Sequence, residues 1–362
     1  NLPLYMQFKK NIIERIKKGE MKPGSVMQTE SELCIEYGIS RYPVRQAMDE
    51  LEAEGYVHRK RGKGTFVCNE LPVMVNGKRL LGLILPNLSK GFCGQIFKGF
   101  EKQAGGKGYL VAACSTDGLA DEEDKCIDRM VESDVNGIFL FPCEKSRVGQ
   151  KLGRLTERGI YLGIMDRNPG LVDIDYVGSD NRGGAYSAVR HLAMQGYGNV
   201  AFVSDKSNVS SIDERMEGYL KAVEDFGLNS ITHINVHDDL SKYSYHRHRV
   251  FLDDLREELI DLKKNLPLGI FAVNDGIAMQ CMLILKEEGF AVGTEIGIVG
   301  FDNIIECDYT DVPLTTVAQN GLLLGFEAAN MAIGKIEGIS HHVYKSIIPT
   351  QLVVRKSCNE GM

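Results

Sequence analysis

Residues 29–51 read TESELCIEYGISRYPVRQAMDEL, and their punctuation decides the first part of the fold. Thr29 and Glu32 stand three apart, the spacing at which two side chains satisfy each other's backbone N–H groups at a helix start. The short helix that follows stops at Gly38. Ser40 is placed to cap a third helix, Pro43 is tolerated in its first turn, and Val44, Met48 and Leu51 form its apolar stripe. A short helix and a tight turn at Gly38-Ile39 let the next helix protrude. Ser40, Arg41 and Tyr42 lie on its first turn and Arg45 one turn on, a geometry that suits a DNA major groove.

Working outward, Tyr5, Phe8, Ile12, Ile13 and Ile16 recur at helical spacing ahead of this stretch, with Lys9, Lys10, Arg15 and Lys17 on the other side. Gly19 and Pro23-Gly24 end that helix. Behind it, Gly55 closes the third helix, and two short strands, Tyr56–Arg59 and Thr65–Cys68, are joined by Lys60-Arg61-Gly62-Lys63-Gly64. The reading is a winged helix-turn-helix over residues 1–69. Arg41 and Arg45 can fork onto a guanine edge or a phosphate, and Ser40 can reach a phosphate. The wing glycines allow close backbone approach to a groove while Arg61 and Lys63 supply charge. Taken singly, each basic residue also fits an ordinary solvated surface; the ordered set of helices and wing argues for double-stranded DNA as partner. The charge split agrees: residues 1–69 carry +3 and the remainder −10.

Residues 70–78 contain Pro72 and Gly77 without periodicity and read as a linker. From residue 79 to 358 short Val/Ile/Leu-rich runs alternate with helix-length segments. The runs are Leu80–Leu85, Tyr109–Ala113, Gly137–Phe141, Ile160–Met165, Val200–Val203, Gly269–Val273 and Gly297–Gly300. That alternation implies α/β architecture with buried parallel sheets, and about 280 residues suits two sheets side by side. Ligands of such sheets bind beyond the carboxyl ends of the strands, where Pro86-Asn87, Asp166-Arg167, Ser204-Asp205, Asn274-Asp275 and Phe301-Asp302 stand. Carboxylates, amides and arginines suit a neutral polyol, and Phe92 and Phe301 offer rings for the apolar face of a sugar. Asn87 and Ser204 read better as helix caps. Asp166-Arg167, Arg215 and Asn274-Asp275 are the stronger binding candidates, because an arginine at a strand end or early in a helix caps nothing.

Other classes find little support. No apolar run approaches membrane length, so no membrane role is expected. The start, Asn1-Leu2-Pro3-Leu4-Tyr5, lacks a secretory pattern, which suggests a cytoplasmic protein. Nine cysteines are scattered without close pairs, as reduced thiols are. No nucleophile elbow, zinc-protease motif or phosphate loop appears, so neither an enzyme nor a cofactor is expected. His233 and His237 on an extended segment would lie about 13 Å apart, too far for one ion, and no metal is expected. His246 and His248 stand nearby, and solvated or capping histidines are the preferred reading.

The segment Thr29-Glu30-x-Glu32-Leu33…Tyr37-Gly38-Ile39-Ser40-Arg41-x-Pro43-Val44-Arg45…Gly62-x-Gly64-Thr65-Phe66-Val67 resembles the GntR-family DNA-binding domain; Met27-Gln28 stands where that family usually has Leu-Pro. The resemblance implies DNA contacts from Arg41 and Arg45, phosphate contacts from Thr29 and Ser40, and a minor-groove position for Gly62–Gly64. Residues 79–356, with Asp166-Arg167, Val177-Gly178-Ser179-Asp180-Asn181, Arg215-x-x-Gly218-Tyr219, Asn274-Asp275 and Gly300-Phe301-Asp302, resemble the effector domains of LacI-type repressors, which share the two-lobed fold of type I periplasmic sugar-binding proteins. That resemblance implies effector contacts from Phe92, Asp166, Arg167, Arg215, Asn274, Asp275 and Asp302, and a homodimer. Asn87 to Cys93 departs from the family's compact Asn-Pro-Phe-Phe run. Together the two resemblances imply a repressor of sugar-utilisation genes, released by a small neutral sugar such as arabinose or fucose. A nucleoside or sugar phosphate is the alternative effector, and a solute-binding protein or sugar-active enzyme the alternative class.

Overall fold

The computed structural model describes residues 3–17, 19–53, 55–60, 62–68, 79–88, 91–143, 148–171, 173–205, 209–236, 255–340 and 342–358. Two compact units divide the chain, residues 1–77 with 333–342, and residues 78–332 with 343–362. The expected linker over 70–78 and the wing residue Arg61 lie outside the described residues, as do His237, His246 and His248.

The first unit contains α1 (Leu4–Lys17), α2 (Glu30–Tyr37), α3 (Arg41–Ala53) and the antiparallel pair β1 (Val57–Lys60) and β2 (Gly64–Val67). The apolar positions read from the sequence form its core: Phe8, Ile12, Ile16, Leu33, Val44, Met48 and Leu51 are all buried. The capping box forms, with the Thr29 side chain accepting from Glu32 N and the Glu32 side chain accepting from Thr29 N. Gly38 ends α2 at φ +63, a left-handed conformation that glycine adopts without penalty. The strands are offset by one residue from the sequence reading because the turn closes through Lys63 N–H donating to Lys60 O.

The second unit holds two six-stranded sheets. One runs β13-β7-β6-β5-β3-β4, all parallel, from β3 (Leu80–Leu85), β4 (Leu110–Ser115), β5 (Gly137–Leu140), β6 (Tyr161–Met165), β7 (Asp175–Ser179) and β13 (Lys345–Ile348). The other runs β14-β12-β11-β10-β8-β9, from β8 (Asn199–Asp205), β9 (Asn229–Val236), β10 (Leu268–Ala272), β11 (Ile296–Asp302), β12 (Thr315–Ala318) and β14 (Gln351–Val353). Only β14 is antiparallel there. Helices α4 (Gly91–Gly106), α5 (Ala120–Glu132), α6 (Val148–Thr156) and α10 (Gly321–Ile336) accompany the first sheet, and α7 (Asn181–Met194), α8 (Ser210–Phe226) and α9 (Asp275–Glu287) the second.

The chain crosses between the lobes at Asp180, at Gln319-Asn320 and at Pro349-Thr350. Two crossings are tied together by Asp180 N–H donating to Ile348 O and by the Thr350 hydroxyl donating to Asp180 O. Helices α4 and α10 cross at backbone contact. A Cβ on Gly99 would lie 2.0 Å from the Leu322 carbonyl oxygen, and one on Gly325 2.0 Å from that of Ile96. Gly99→Ala should therefore lower the melting temperature. The overpacking cost of about 1–3 kcal/mol or more exceeds the helix-propensity gain of about 1 kcal/mol. A thermal unfolding curve checks it, and a raised Tm would contradict the close crossing.

Candidate functional site

The carboxyl ends of both sheets border a cleft of about 430 Å³ between the lobes. This is where parallel α/β sheets leave backbone and helix termini available to a ligand. Pro86, Phe141 and Asp166 follow β3, β5 and β6 on one side. Asp205 and Asp302 end β8 and β11, and Val273 and Gln319 follow β10 and β12 on the other.

Arg215 projects from α8 and is only 6% exposed. Its Nη1 donates to Val273 O at 2.6 Å, its Nε donates to Asn181 Oδ1 at 2.9 Å, and its guanidinium lies 3.7 Å above the Phe301 ring. This triple hold fixes one planar donor at the cleft. Arg167 is held by Pro142 O, which accepts from its Nη1 at 3.1 Å, and lies 5.0 Å over the Phe141 ring.

Three buried polar atoms around the cleft have no hydrogen-bond partner among the described residues: Asp166 Oδ1, Arg167 Nε and Gln319 Oε1. Asp166 is 3% exposed. Buried polar groups are normally paired, so two orphan acceptors and one orphan donor on residues that border one cleft mark a place for a polar molecule. Asp166 and Asp302 both sit at positive φ, +61° and +122°, strain of the kind that concentrates at binding sites. Burial raises the Asp166 carboxyl above its ordinary value, against the pull of Arg215 and Arg167. Burial also pushes Asp302 up to about 7, opposed by Arg215 and reinforced by Asp275.

Phe92, Asp166, Arg167, Arg215, Asn274 and Asp302 all border the cleft. Asn274 does double service, since its side chain also caps α9 by accepting from Ile277 N at 2.9 Å. Asp275 is a correction. It is fully buried, does not border the cleft, and spends its carboxylate on Ile304 N at 3.0 Å, Cys307 Sγ at 3.2 Å and the Thr316 hydroxyl. It thereby holds the segment that follows β11. The Phe301 ring is likewise fully buried beneath Arg215 and offers no face to a ligand. Ser204 is buried and pairs with His233 Nε2 at 2.8 Å, which accounts for that histidine on β9. Gln319 and Glu306 border the cleft without having been singled out in the sequence. Gln319 follows β12, a strand of four residues that is not among the apolar runs of the sequence.

On the first unit, Arg41, Tyr42 and Arg45 are exposed at the start of α3, with Tyr42 78% exposed. Ser40 immediately precedes that helix and is exposed. Arg41 Nη2 donates to Ser31 Oγ at 3.0 Å, which orients its guanidinium. Thr29 is exposed, but its hydroxyl donates to Glu32 Oε2 at 2.9 Å, so a phosphate would compete with the capping box. Gly62, Lys63 and Gly64 form an exposed wing tip with both glycines at positive φ. Arg59 ties the base of the wing to Asp49, Glu52 and Glu30. Among the described residues, no cluster of three or more metal-ligating side chains occurs, and no helix is long and apolar enough to cross a membrane.

The chain combines a winged helix-turn-helix unit with a two-sheet α/β unit that has a cleft at its strand ends. Residues 4–67 match the bacterial regulatory proteins of the gntR family, and residues 189–358 match the periplasmic binding protein-like domain. The chain is 27% identical over 363 residues to an arabinose metabolism transcriptional repressor of Geobacillus stearothermophilus, covering 99% of this chain and 98% of that one. It is 26% identical over 344 residues to the repressor of the same description from Halalkalibacterium halodurans, covering 92% and 89%. Among solved structures, a LacI family transcriptional regulator from Enterococcus faecium with bound ribose superimposes with a TM-score of 0.64 at 21% identity, over 77% of this chain and 98% of that one. The chain is thus similar to gntR-family regulatory proteins over its first unit and to a periplasmic binding protein-like domain over the later part of its second.

Proposed function

We propose that this protein is a sequence-specific transcription regulator, a repressor of sugar-utilisation genes released from its operator by a small neutral sugar such as arabinose or fucose. The observation that carries the ligand reading is the set of three unpartnered buried polar atoms around the cleft. Two are acceptors for hydroxyl protons and one is a donor to a hydroxyl oxygen, the pattern that a polyol satisfies. Charge favours a neutral ligand over a phosphorylated one. Among the described residues, Asp166, Asp205, Asp302 and Glu306 border the cleft with only Arg167 and Arg215 opposing them, and Arg215 already serves Val273, Asn181 and Phe301. The full-length similarity to two arabinose metabolism repressors supports the regulator reading.

The protein acts as a twofold dimer, so that two heads meet two half-sites. Ligand closes the cleft, and a coupling of about 1–3 kcal/mol between the cleft and the heads changes DNA affinity 5–150-fold. A thermal-shift panel of arabinose, fucose, ribose, xylose, galactose and sugar phosphates tests the reading. A ligand at about a hundred times its Kd adds about 2.7 kcal/mol, a shift of a few degrees. A hit that also releases operator DNA supports it. Silence from every neutral sugar with a response to a phosphate would overturn the effector class.

The reading also predicts a pH dependence. Ligand hydroxyls donate to the ionised Asp302, so affinity should rise up to roughly tenfold between about pH 6 and about pH 8, and Asp302→Asn should flatten the profile. The ligand-free protein responds oppositely. Its folded-state value lies above the unfolded one, so the Asp302 contribution to stability is present at low pH and is lost as pH rises through about 7. Calorimetric titration across that range measures the first effect and thermal unfolding the second.

A further inference from the structure

Behind the cleft lies an ion pair that the binding reading does not use. Glu123, in the first turn of α5, is fully buried, and Lys151 of α6 is 8% exposed. Lys151 Nζ donates to Glu123 Oε1 and lies 3.2 Å from Asp124 Oδ1. Burying such a pair is a poor way to gain stability, because desolvation cancels most of the attraction and apolar residues of similar size often serve as well. The second carboxylate oxygen shows what else the pair does. Glu123 Oε2 accepts from Cys143 N at 2.5 Å.

That N–H belongs to the same peptide group as the Pro142 carbonyl, and the Pro142 carbonyl accepts from Arg167 Nη1 at 3.1 Å. The Pro142–Cys143 peptide plane is therefore held at both ends. A trans peptide points its N–H and C=O in opposite directions, so anchoring the N–H on Glu123 aims the carbonyl at Arg167. A charged acceptor also polarises the peptide and strengthens the carbonyl as an acceptor. Pro142 has no N–H of its own to anchor this segment. Phe141, one residue earlier, supplies the ring beneath the same guanidinium.

We propose that Glu123 is a positioning residue for ligand recognition, which orients the Pro142–Cys143 peptide and, through it, the Arg167 guanidinium at the cleft. Lys151 holds the Glu123 carboxylate in place through its contact with Oε1. The inference rests on the cleft being the ligand site. Its structural half, the dependence of Arg167 on Glu123, stands apart from what the ligand is.

Two double variants separate positioning from mere packing. E123M/K151M replaces the pair by residues of similar volume and removes the acceptor. E123Q/K151M keeps a neutral acceptor for Cys143 N–H. Crystals of both are grown without sugar, and affinity is measured by calorimetry with each wild-type hit among arabinose, fucose, ribose, xylose and galactose. The expected result is that Arg167 leaves Pro142 O and the Phe141 ring in E123M/K151M, with affinity down about tenfold, while E123Q/K151M restores both. With Arg167 already changed to Ala, the E123M/K151M pair should cost no further affinity. Arg167 in its original place in E123M/K151M, or displaced equally in both variants, would overturn the proposal. Should the apolar pair not fold, Glu123→Asp keeps the charge but draws the carboxylate back by one carbon–carbon bond, and it must displace Arg167 in the crystal or the proposal fails. If no sugar of the panel binds the wild type, the sugar reading fails, while the position of Arg167 in sugar-free crystals still decides this inference.

Discussion

Asp166→Asn should leave the protein folded and bound to operator DNA but deaf to its effector, with ligand affinity down roughly 10–100-fold. Asp166 borders the cleft and carries a buried, unpartnered oxygen, and a hydrogen bond to a charged acceptor contributes about 1.5–3 kcal/mol. Asparagine matches the carboxylate in shape and tolerates the φ of +61°, so the backbone need not move. The stability effect should run the other way. Burial makes the ionised carboxylate unfavourable despite Arg215 and Arg167. A neutral amide relieves that cost, and the melting temperature should hold or rise. A variant at least as stable that no longer responds to ligand is the signature of a group kept for binding. Calorimetry with the effector and a melting curve on the same sample measure both. Unchanged affinity would mean that the orphan oxygen is satisfied by water alone.

Arg45→Ala should show the complementary loss. Arg45 is exposed on α3, one turn beyond Ser40 and Arg41. A forked guanidinium–guanine contact contributes about 1–3 kcal/mol, so truncation should weaken operator binding by up to about 100-fold and relax preference at one base position. Effector affinity should stay as it is. Anisotropy titrations on operator fragments selected from genomic DNA read the first, and calorimetry the second. A uniform loss across all sequences, with a salt slope shallower by about one, would reassign Arg45 to a phosphate. A loss of effector binding in the folded variant would break the separation of roles proposed for head and body.

Much of the fold was legible because it rests on local rules. The Thr29–Glu32 capping box, the Gly38 turn and the Val44/Met48/Leu51 stripe appear in the structure as read. The long apolar runs became β3, β5, β6, β8, β10 and β11 with ends shifted by a residue or two. What escaped was short or atypical. Asp175–Ser179, Thr315–Ala318 and Lys345–Ile348 carry polar residues or glycine within four or five positions, too few for a periodicity to register. Helix α10 hid within a glycine-bearing sequence in which Gly321 and Gly325 serve the crossing with α4 and not the helix itself.

The site divides in the same way. By itself the sequence determined that polar residues would stand at strand ends, because a parallel strand must hand over to a helix there and ligands use that junction. It therefore reached Asp166, Arg167, Asn274 and Asp302, and it reached Arg215 as an arginine early in a helix that caps nothing. Only the tertiary structure decided which of those groups keep atoms free for a ligand. Asn274-Asp275 are adjacent in the chain, yet one borders the cleft and the other is consumed by Ile304, Cys307 and Thr316. Gln319 meets Asp302 from a different crossing, with its Nε2 donating at 2.6 Å. Glu123 reaches Arg167 through a single peptide plane. Hydrogen-bond capacity is saturated by partners distant in sequence, so whether a side chain serves the ligand or the protein is settled by three-dimensional proximity, which no local pattern records.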